Sequence, residues 1–536
     1  MDQTKQPTNY GALGTLVTVF FFWGFIAASN SIFIPFCKTH FELSQFESQL
    51  IGSAFYVAYF FGSLVLFLAS NILGYDIINK IGYKKGIIYG LWISVIGALL
   101  IIPSANANSF PAILASFFVV ALGFSLQQTS AQPFAISLGD PSTGSHRLNM
   151  GGSINSFGTT LGPIIVSFFL FGSVGGKVAE VTVTNINTLY MIVAGVFAAV
   201  AIFFTFSKLP SGISESKVEK ENKASASLLV MTGLVVATIV VGMLTEVPKL
   251  PLLIAIILAV ILVLLISNKK AIGNNEGWGA MKYPQLIFGM IAIFVYVGVE
   301  VTIDNNFGAL LKVPGYFNET GLDESEISKY ISLYWGSLMI GRWTGAVSVF
   351  NLKGNSKVLA MIVVPFIAFA MILFVNYIYG NDISDLFLYS VCVMIAIGAF
   401  FYGQEKPVKT LVTVSVLAMV AMLIGVFTNG LLSVYAFMAG GLFCSVMWPC
   451  IFSLGVGGLG KYTSQGSALL IMMILGGAII PPFQGSLGDL PAIGIHYSYL
   501  IAALCFGLLA VIALKLKSVL KSQGLDFDNQ IGGGGH

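Results

Sequence analysis

Apolar runs of about twenty residues recur along the whole chain, and no other feature narrows the fold so far. Crossing about 30 Å of hydrocarbon takes about 20 residues of helix. In lipid every backbone N–H and C=O needs an internal partner, so runs of this kind are helices. They fall near 12–35, 48–72, 85–103, 110–138, 148–172 and 187–207, then 228–246 and 251–267. A further eight lie near 285–311, 326–350, 357–379, 384–403, 408–428, 430–456, 464–487 and 494–516. The expectation is an all-α polytopic membrane protein of about 16 spans, the weakest of which would lie along the interface. Only 9% of residues are charged, against roughly 25% in a soluble domain.

Loop charge predicts the orientation, because Lys and Arg collect on the cytoplasmic side. With the N-terminus inside, the inside loops carry Lys80, Lys84, Lys85, Arg147, Lys208 to Lys223, Lys269, Lys270, Lys282, Lys353, Lys357, Lys406, Lys409, Lys461 and Lys515 onward. The opposite loops carry Glu42, Glu47, Glu180, Glu246, Glu319, Asp323, Glu324, Glu326, Asp382 and Asp385. Both termini are therefore expected in the cytoplasm, with the chain in the cytoplasmic (inner) membrane.

An internal repeat divides the sequence. Pro133-Phe-Ala-Ile-Ser137-Leu-Gly139 matches Pro449-Cys-Ile-Phe-Ser453-Leu-Gly455, and a basic loop residue (Arg147, Lys461) and a Gly-rich run ending in Pro163 or Pro481 follow each. Two equivalent halves place a substrate between them near mid-membrane in secondary transporters. The expected organisation is a six-helix half over 1–207 and a charged linker over 208–283 carrying an extra hairpin (228–267). A second half over 284–518 holds a further hairpin within 357–428, and a cytoplasmic tail covers 519–536.

Polar side chains inside the apolar runs mark the candidate site, since they are costly in lipid unless they face water or one another. Asn30, Gln127, Gln128, Gln132, Asn149 and Asn155 each donate and accept, as paired sugar hydroxyls require, and Trp23, Phe134 and Phe157 can pack on a sugar's C–H face. Asn305 and Trp448 are second-half candidates. Hydrogen bonding between helices uses the same residue types and is the competing reading. Pro133 and Pro449 kink their helices and free carbonyls that could serve a ligand. There is no phosphate loop, nucleophile triad, zinc spacing or basic stripe, so the sequence points away from enzymes, cofactors, metals and nucleic acid. The partners expected are a small neutral solute and the lipid bilayer, with the chain acting as a monomer.

Several motifs resemble the major facilitator superfamily. Asn79-Lys80-Ile81-Gly82-Tyr83-Lys84-Lys85 is similar to its D-R-x-G-R-K loop, with Asn79 where Asp is usual, and Ile340-Gly341-Arg342-Trp343-Thr344-Gly345 occupies the corresponding place in the second half. Phe22-Trp23-Gly24-Phe25, Ser53-Ala54-Phe55-Tyr56, Arg147-Leu-Asn149 with Asn155-Ser-Phe-Gly158, Tyr296-Val-Gly-Val-Glu300 and Phe452-Ser-Leu-Gly resemble the fucose/glucose/galactose permease family. That resemblance implies a major facilitator fold of two pseudo-symmetric six-helix halves plus two extra hairpins. It also implies uptake of a hexose or 6-deoxyhexose by alternating access, usually driven by a proton. Family members carry coupling carboxylates in the first and fourth spans, where this chain has Ser31 and Gln128, neither of which titrates.

Glu300 and Asp304, one turn apart in the 285–311 run, are the expected replacement, carrying H⁺ or coordinating Na⁺. A structural anchor at Glu300 and direct sugar binding by it are the alternatives. Lys84, Lys85 and Arg342 read as charges of cytoplasmic gate loops. An uncoupled facilitator or exporter, and a membrane sensor on a transporter fold, are the rival functions.

Overall fold

A computed structural model describes residues 7–43, 45–171, 182–210, 221–322, 324–350, 352–404 and 406–526, the side chains of 26–36, 38–39, 45–50, 163–171, 243 and 324–325 excepted. Twenty α-helices occur among them. The first half comprises α1 (Tyr10–His40), α2 (Gln45–Leu73), the short α3 (Ile77–Ile81), α4 (Tyr83–Asn106), α5 (Phe110–Ser137), α6 (Gly144–Phe171) and α7 (Val183–Phe206). Next come α8 (Asn222–Leu244), α9 (Lys249–Gly273), α10 (Pro284–Leu311), α11 (Glu324–Ala346), α12 (Gly354–Ile378), α13 (Ser390–Gly403) and α14 (Pro407–Phe427). The chain ends with α15 (Gly430–Cys444), α16 (Met447–Val456), α17 (Thr463–Met472), α18 (Gly476–Gly488), α19 (Gly494–Ser498) and α20 (Leu500–Ser522).

Thirteen helical segments among the described residues are long and apolar enough to cross a membrane. Three more helices, α1, α6 and α11, are 31, 28 and 23 residues long. Parts of α1 and α6 fall outside the residues whose side chains are described, and polar residues along α11, Arg342 among them, lower its hydropathy.

Packing repeats between the halves. In the first, α1 lies on α6, α2 on α5, and α4 between α5 and α7. In the second, α10 lies on α18, α11 on α15, and α14 between α15 and α20. The pairs α8–α9 and α12–α13 have no counterpart in this scheme. Helix α8 touches α2 while α9 touches α10 and α18, so that hairpin spans the seam between halves. Asn71 of α2 fixes its start, accepting from the Glu221 N–H at 2.7 Å and donating to Ser225 Oγ at 2.6 Å.

Local chemistry sets the helix ends that bear on the site. Arg147 is buried and donates to the carbonyls of Ala135 (2.8 Å), Ile136 (2.6 Å) and Asp140 (2.7 Å), completing acceptors that the end of α5 leaves without helical donors. Pro133 has no N–H to offer the Thr129 carbonyl, and Ser467 of α17 donates to it at 3.0 Å. The kink expected to serve a ligand is therefore occupied by a contact between the halves.

Candidate functional site

Hydrogen bonds between the two halves gather on the side of the 74–82 loop. Ser464 donates to Asp76 at 3.0 Å, Asn79 to the Lys461 carbonyl at 3.1 Å, and Tyr10 to the Val349 carbonyl at 2.8 Å. Asp76 also caps α3, accepting from the Asn79 N–H at 2.8 Å. Burial pushes its carboxyl above the ordinary carboxylate range, and these hydrogen bonds pull the other way. Asn79, standing where the resemblance expects an acid, supplies an amide to the opposite half, and the carboxylate comes from three residues earlier.

Deeper in the bundle, α10 is buried from Gln285 to Ile303 apart from Phe288. Glu300 lies at its end, 8% exposed, with a carboxylate oxygen 3.5 Å from the Arg342 guanidinium. Arg342 also donates to Ser156 Oγ of α6 at 3.0 Å, and its carbonyl accepts from Ser153 Oγ at 2.6 Å. The next residue, Trp343, donates its indole N–H to the Ser153 carbonyl at 3.1 Å. One cation thus joins a second-half carboxylate to a first-half helix. Tyr334 donates to the Glu300 carbonyl at 2.6 Å, and Trp448 packs its ring against Tyr296, with centroids 6.3 Å apart.

This corrects one expectation. Arg342 is a residue of α11 inside the bundle, not a gate-loop charge. Glu300 is matched with Arg342. A helix turn separates the two acids, and the guanidinium from the neighbouring helix reaches the deeper one. Asp304 is partly accessible, beside the Trp335 indole, and Asn305 is exposed. Asn306, the next residue, donates to Gln484 of α18 at 2.8 Å.

The first-half amides separate into different environments. Gln127 is buried and accepts from the Trp23 indole N–H at 2.6 Å while donating to Ser94 Oγ at 3.0 Å, so it faces the interior of its own half. Gln128, about 100° further round α5, donates to Tyr59 Oη at 2.8 Å and stays partly accessible. Gln132, one turn on, is buried. Asn155 is partly accessible and donates to the Phe20 carbonyl at 3.0 Å. There α1 crosses α6 so closely that any side chain at Gly24 would overlap the Asn155 carbonyl.

Asn149 lines a separate void of about 40 Å³ with Ser145, His146, Thr344, Gly345 and Ser348. Its carbonyl oxygen is buried without a hydrogen bond. Gln127 and Asn149 therefore leave the common set. The side chain of Asn30 lies outside the described residues, as does that of Ser31. Lys84 donates to the carbonyls of Thr205 (3.0 Å) and Ser207 (2.7 Å) at the end of α7, and Lys85 is exposed.

The groups that do converge link the halves. Tyr56 of α2 is within electrostatic reach of both Glu300 and Asp304, packs beside Gly477, and neighbours Tyr59, the partner of Gln128. Tyr56, Tyr59, Tyr296 and Trp335 were not candidates by sequence reasoning, because aromatic residues at helical spacing are ordinary core. Tyr56 and Tyr296 figure in the sequence only as parts of motif resemblances.

Comparisons with known proteins bear on the family and the fold. A family model described as Major Facilitator Superfamily matches residues 14–405. A "Glucose/galactose transporter" of Brucella abortus (strain 9-941) is 29% identical, with 96% of each chain covered. The "L-fucose-proton symporter" of Escherichia coli (strain K12) is 25% identical over 93% of this chain and 91% of its own. Among solved structures, a transporter titled FucP, in the outward conformation, superposes with a TM-score of 0.63 at 23% identity, covering 94% of this chain and 98% of that one.

Proposed function

Because this chain belongs to the Major Facilitator Superfamily, we propose that it imports a monosaccharide, a hexose or 6-deoxyhexose, by alternating access, coupled to H⁺ or Na⁺ through Glu300. The Glu300–Arg342 pair, with its 3.5 Å separation and its tie to Ser156, carries the reading. The names of the relatives, glucose/galactose transporter and L-fucose-proton symporter, set the substrate class.

An ionised carboxylate in this position needs a counter-ion, and Arg342 supplies one while also holding α6. A proton or Na⁺ on Glu300 releases the guanidinium from half of that task. The contact between α11 and α6 then loosens, and the halves rock. Return of the empty carrier needs the pair to re-form, which forbids return with a neutralised Glu300 and no sugar. Gln128, Gln132, Asn155, Asn305 and Trp448 are the proposed sugar contacts, with Asp304 and Tyr56 beside the cation site. The basic loops on the side of Asp76 support a cytoplasmic location for both termini. The α8–α9 and α12–α13 hairpins are additions to twelve shared spans, and the chain acts as a monomer in the inner membrane.

Counterflow of a panel of labelled sugars into proteoliposomes, with and without a Na⁺ or proton gradient, identifies substrate and ion together. Glu300→Gln is expected to abolish accumulation against a gradient while sugar exchange continues. Accumulation at the wild-type level in that variant would reject coupling at Glu300. One observation favours a second reading: a carboxylate already matched with Arg342 suits a static anchor in an uncoupled facilitator. In that case the gradients change nothing in the wild-type protein.

A further inference from the structure

We propose that the α12–α13 hairpin braces α11, and that Asp385 and Tyr389 are positioning residues holding Arg342 within reach of Glu300. This rests on the reading of that pair as the coupling element. One side of α11 bears the site: Tyr334 donates to the Glu300 carbonyl, and the Arg342 guanidinium meets the Glu300 carboxylate and Ser156. At about 100° per residue, Lys329, Ser332, Gly336 and Ser337 fall on the other side. All four meet the hairpin or the turn inside it.

The first grip is near the start of α11. Asp385 lies in a 3₁₀ turn, Ser384–Tyr389, that leads into α13. One of its carboxylate oxygens accepts from Lys329 at 3.0 Å, the other accepts from the Tyr330 hydroxyl, and its carbonyl accepts from the Tyr435 hydroxyl of α15. Lys329 also donates to the Asp382 carbonyl at 3.1 Å. Asn376 of α12 is buried and donates to Ser332 Oγ at 3.0 Å, while its own oxygen accepts from the Asn381 amide at 3.0 Å.

The second grip is deeper. The Tyr389 and Ser337 hydroxyls are 2.8 Å apart and buried, and the Tyr389 ring packs on Phe369 of α12 and Tyr435, with centroids at 6.1 and 5.7 Å. Here α12 approaches α11 so closely that any side chain at Gly336 would overlap Ile372. One short turn therefore holds α11 at Lys329 and at Ser337, about 12 Å apart along the helix axis. A helix held at one point can tilt and turn about it, whereas two grips fix both motions. Arg342 lies only five residues beyond the deeper grip, so the direction of α11 there sets its 3.5 Å separation from Glu300.

A double-mutant cycle on the melting temperature of the full chain in detergent tests the brace. Tyr389→Phe removes one hydroxyl and leaves Ser337 its bond to the Leu333 carbonyl, and Asp385→Asn removes the ion pair with Lys329 while keeping an acceptor for Tyr330. With both changes present, Arg342→Gln should cause a clearly smaller shift than in the wild type, because the contact it breaks is already loosened. Substitutions without a shared partner ordinarily add, so additive shifts overturn the proposal. Met394→Ala, on the exposed side of α13, is the control and should add with Arg342→Gln. In proteoliposomes the brace variants should lower sugar accumulation about threefold while exchange per folded carrier continues at the wild-type rate. Equal falls in accumulation and exchange would overturn the positioning role, since a merely structural defect lowers both. Unchanged accumulation in Glu300→Gln would discard the coupling reading instead, and the melting cycle alone would then decide the brace.

Discussion

The two halves share a packing scheme but handle polarity in opposite ways. In the first half the intramembrane polar groups are neutral, and one of them is satisfied wholly within that half: Gln127 closes a chain from Trp23 to Ser94. In the second half the central helix carries two acids, Glu300 and Asp304, and Glu300 finds its counter-ion in a residue that also holds the first half. A paired neutral amide can be locked away at little cost, so it stabilises one half whatever the other does. A buried charge cannot be separated from its partner cheaply, so the position of that partner governs how the halves move. On the proposed mechanism the moving part is Glu300 with Arg342, and Gln127 belongs to the static part.

The largest expected effect comes from breaking the ionic side of this contrast. Arg342→Gln leaves Glu300 buried without compensation, which costs about 3–5 kcal/mol for a broken buried pair. A large fall in thermal stability in detergent is expected, together with loss of uptake. Adding Glu300→Gln to Arg342→Gln removes the stranded charge and should recover most of the stability but none of the accumulation. A double variant as unstable as Arg342→Gln alone would mean that Arg342 acts through packing against α6 and not through charge.

The neutral side should split between adjacent residues. Gln127→Leu strands the Trp23 N–H inside the first half, while Ser94 keeps its bond to the Val120 carbonyl; the cost is about 1–3 kcal/mol, and the KM for sugar stays near that of the wild type. Gln128→Ala should do the reverse, raising KM several-fold with a stability change below about 1 kcal/mol. Melting curves and uptake kinetics on both variants check this. Equal KM effects from the two would erase the distinction between a packed face and an exposed face of α5.

How much of this the sequence carried follows from what each residue's neighbours decide. The spans and the two halves were legible because lipid demands long apolar helices and because Pro133–Gly139 and Pro449–Gly455 repeat. The sorting of Gln127 from Gln128 was not, since consecutive residues of a helix point about 100° apart and only neighbouring helices say which direction is core. Arg342 reads as a loop charge because Ile340–Gly345 corresponds by motif to the basic loop of the first half, and its reach to Glu300 depends on how α10 and α11 lie side by side. The inserted hairpin could be any adjacent pair of three apolar runs between 357 and 428. Only the packing of α14 between α15 and α20, as α4 packs between α5 and α7, singles out α12–α13.

The smallest expected effect sharpens the contrast at its edge, where a carboxylate of the first half meets a hydroxyl of the second. Asp76 is buried with the faces together, and burial raises its pKa despite the hydrogen bonds from Asn79 and Ser464. With the faces apart it is hydrated and returns to an ordinary carboxylate. The closed face therefore holds a proton more tightly than the open one. Acidification stabilises closure, and that contribution is lost as pH rises from the ordinary carboxylate value through the raised one. Asp76→Asn keeps a good helix cap and an acceptor for Ser464 but removes the titration. Distances between spin labels at Lys85→Cys and Lys461→Cys should lengthen modestly with rising pH in the otherwise wild-type chain and stay constant in the Asp76→Asn background. Equal pH responses in the two would place the titrating group elsewhere and leave Asp76 as a cap alone.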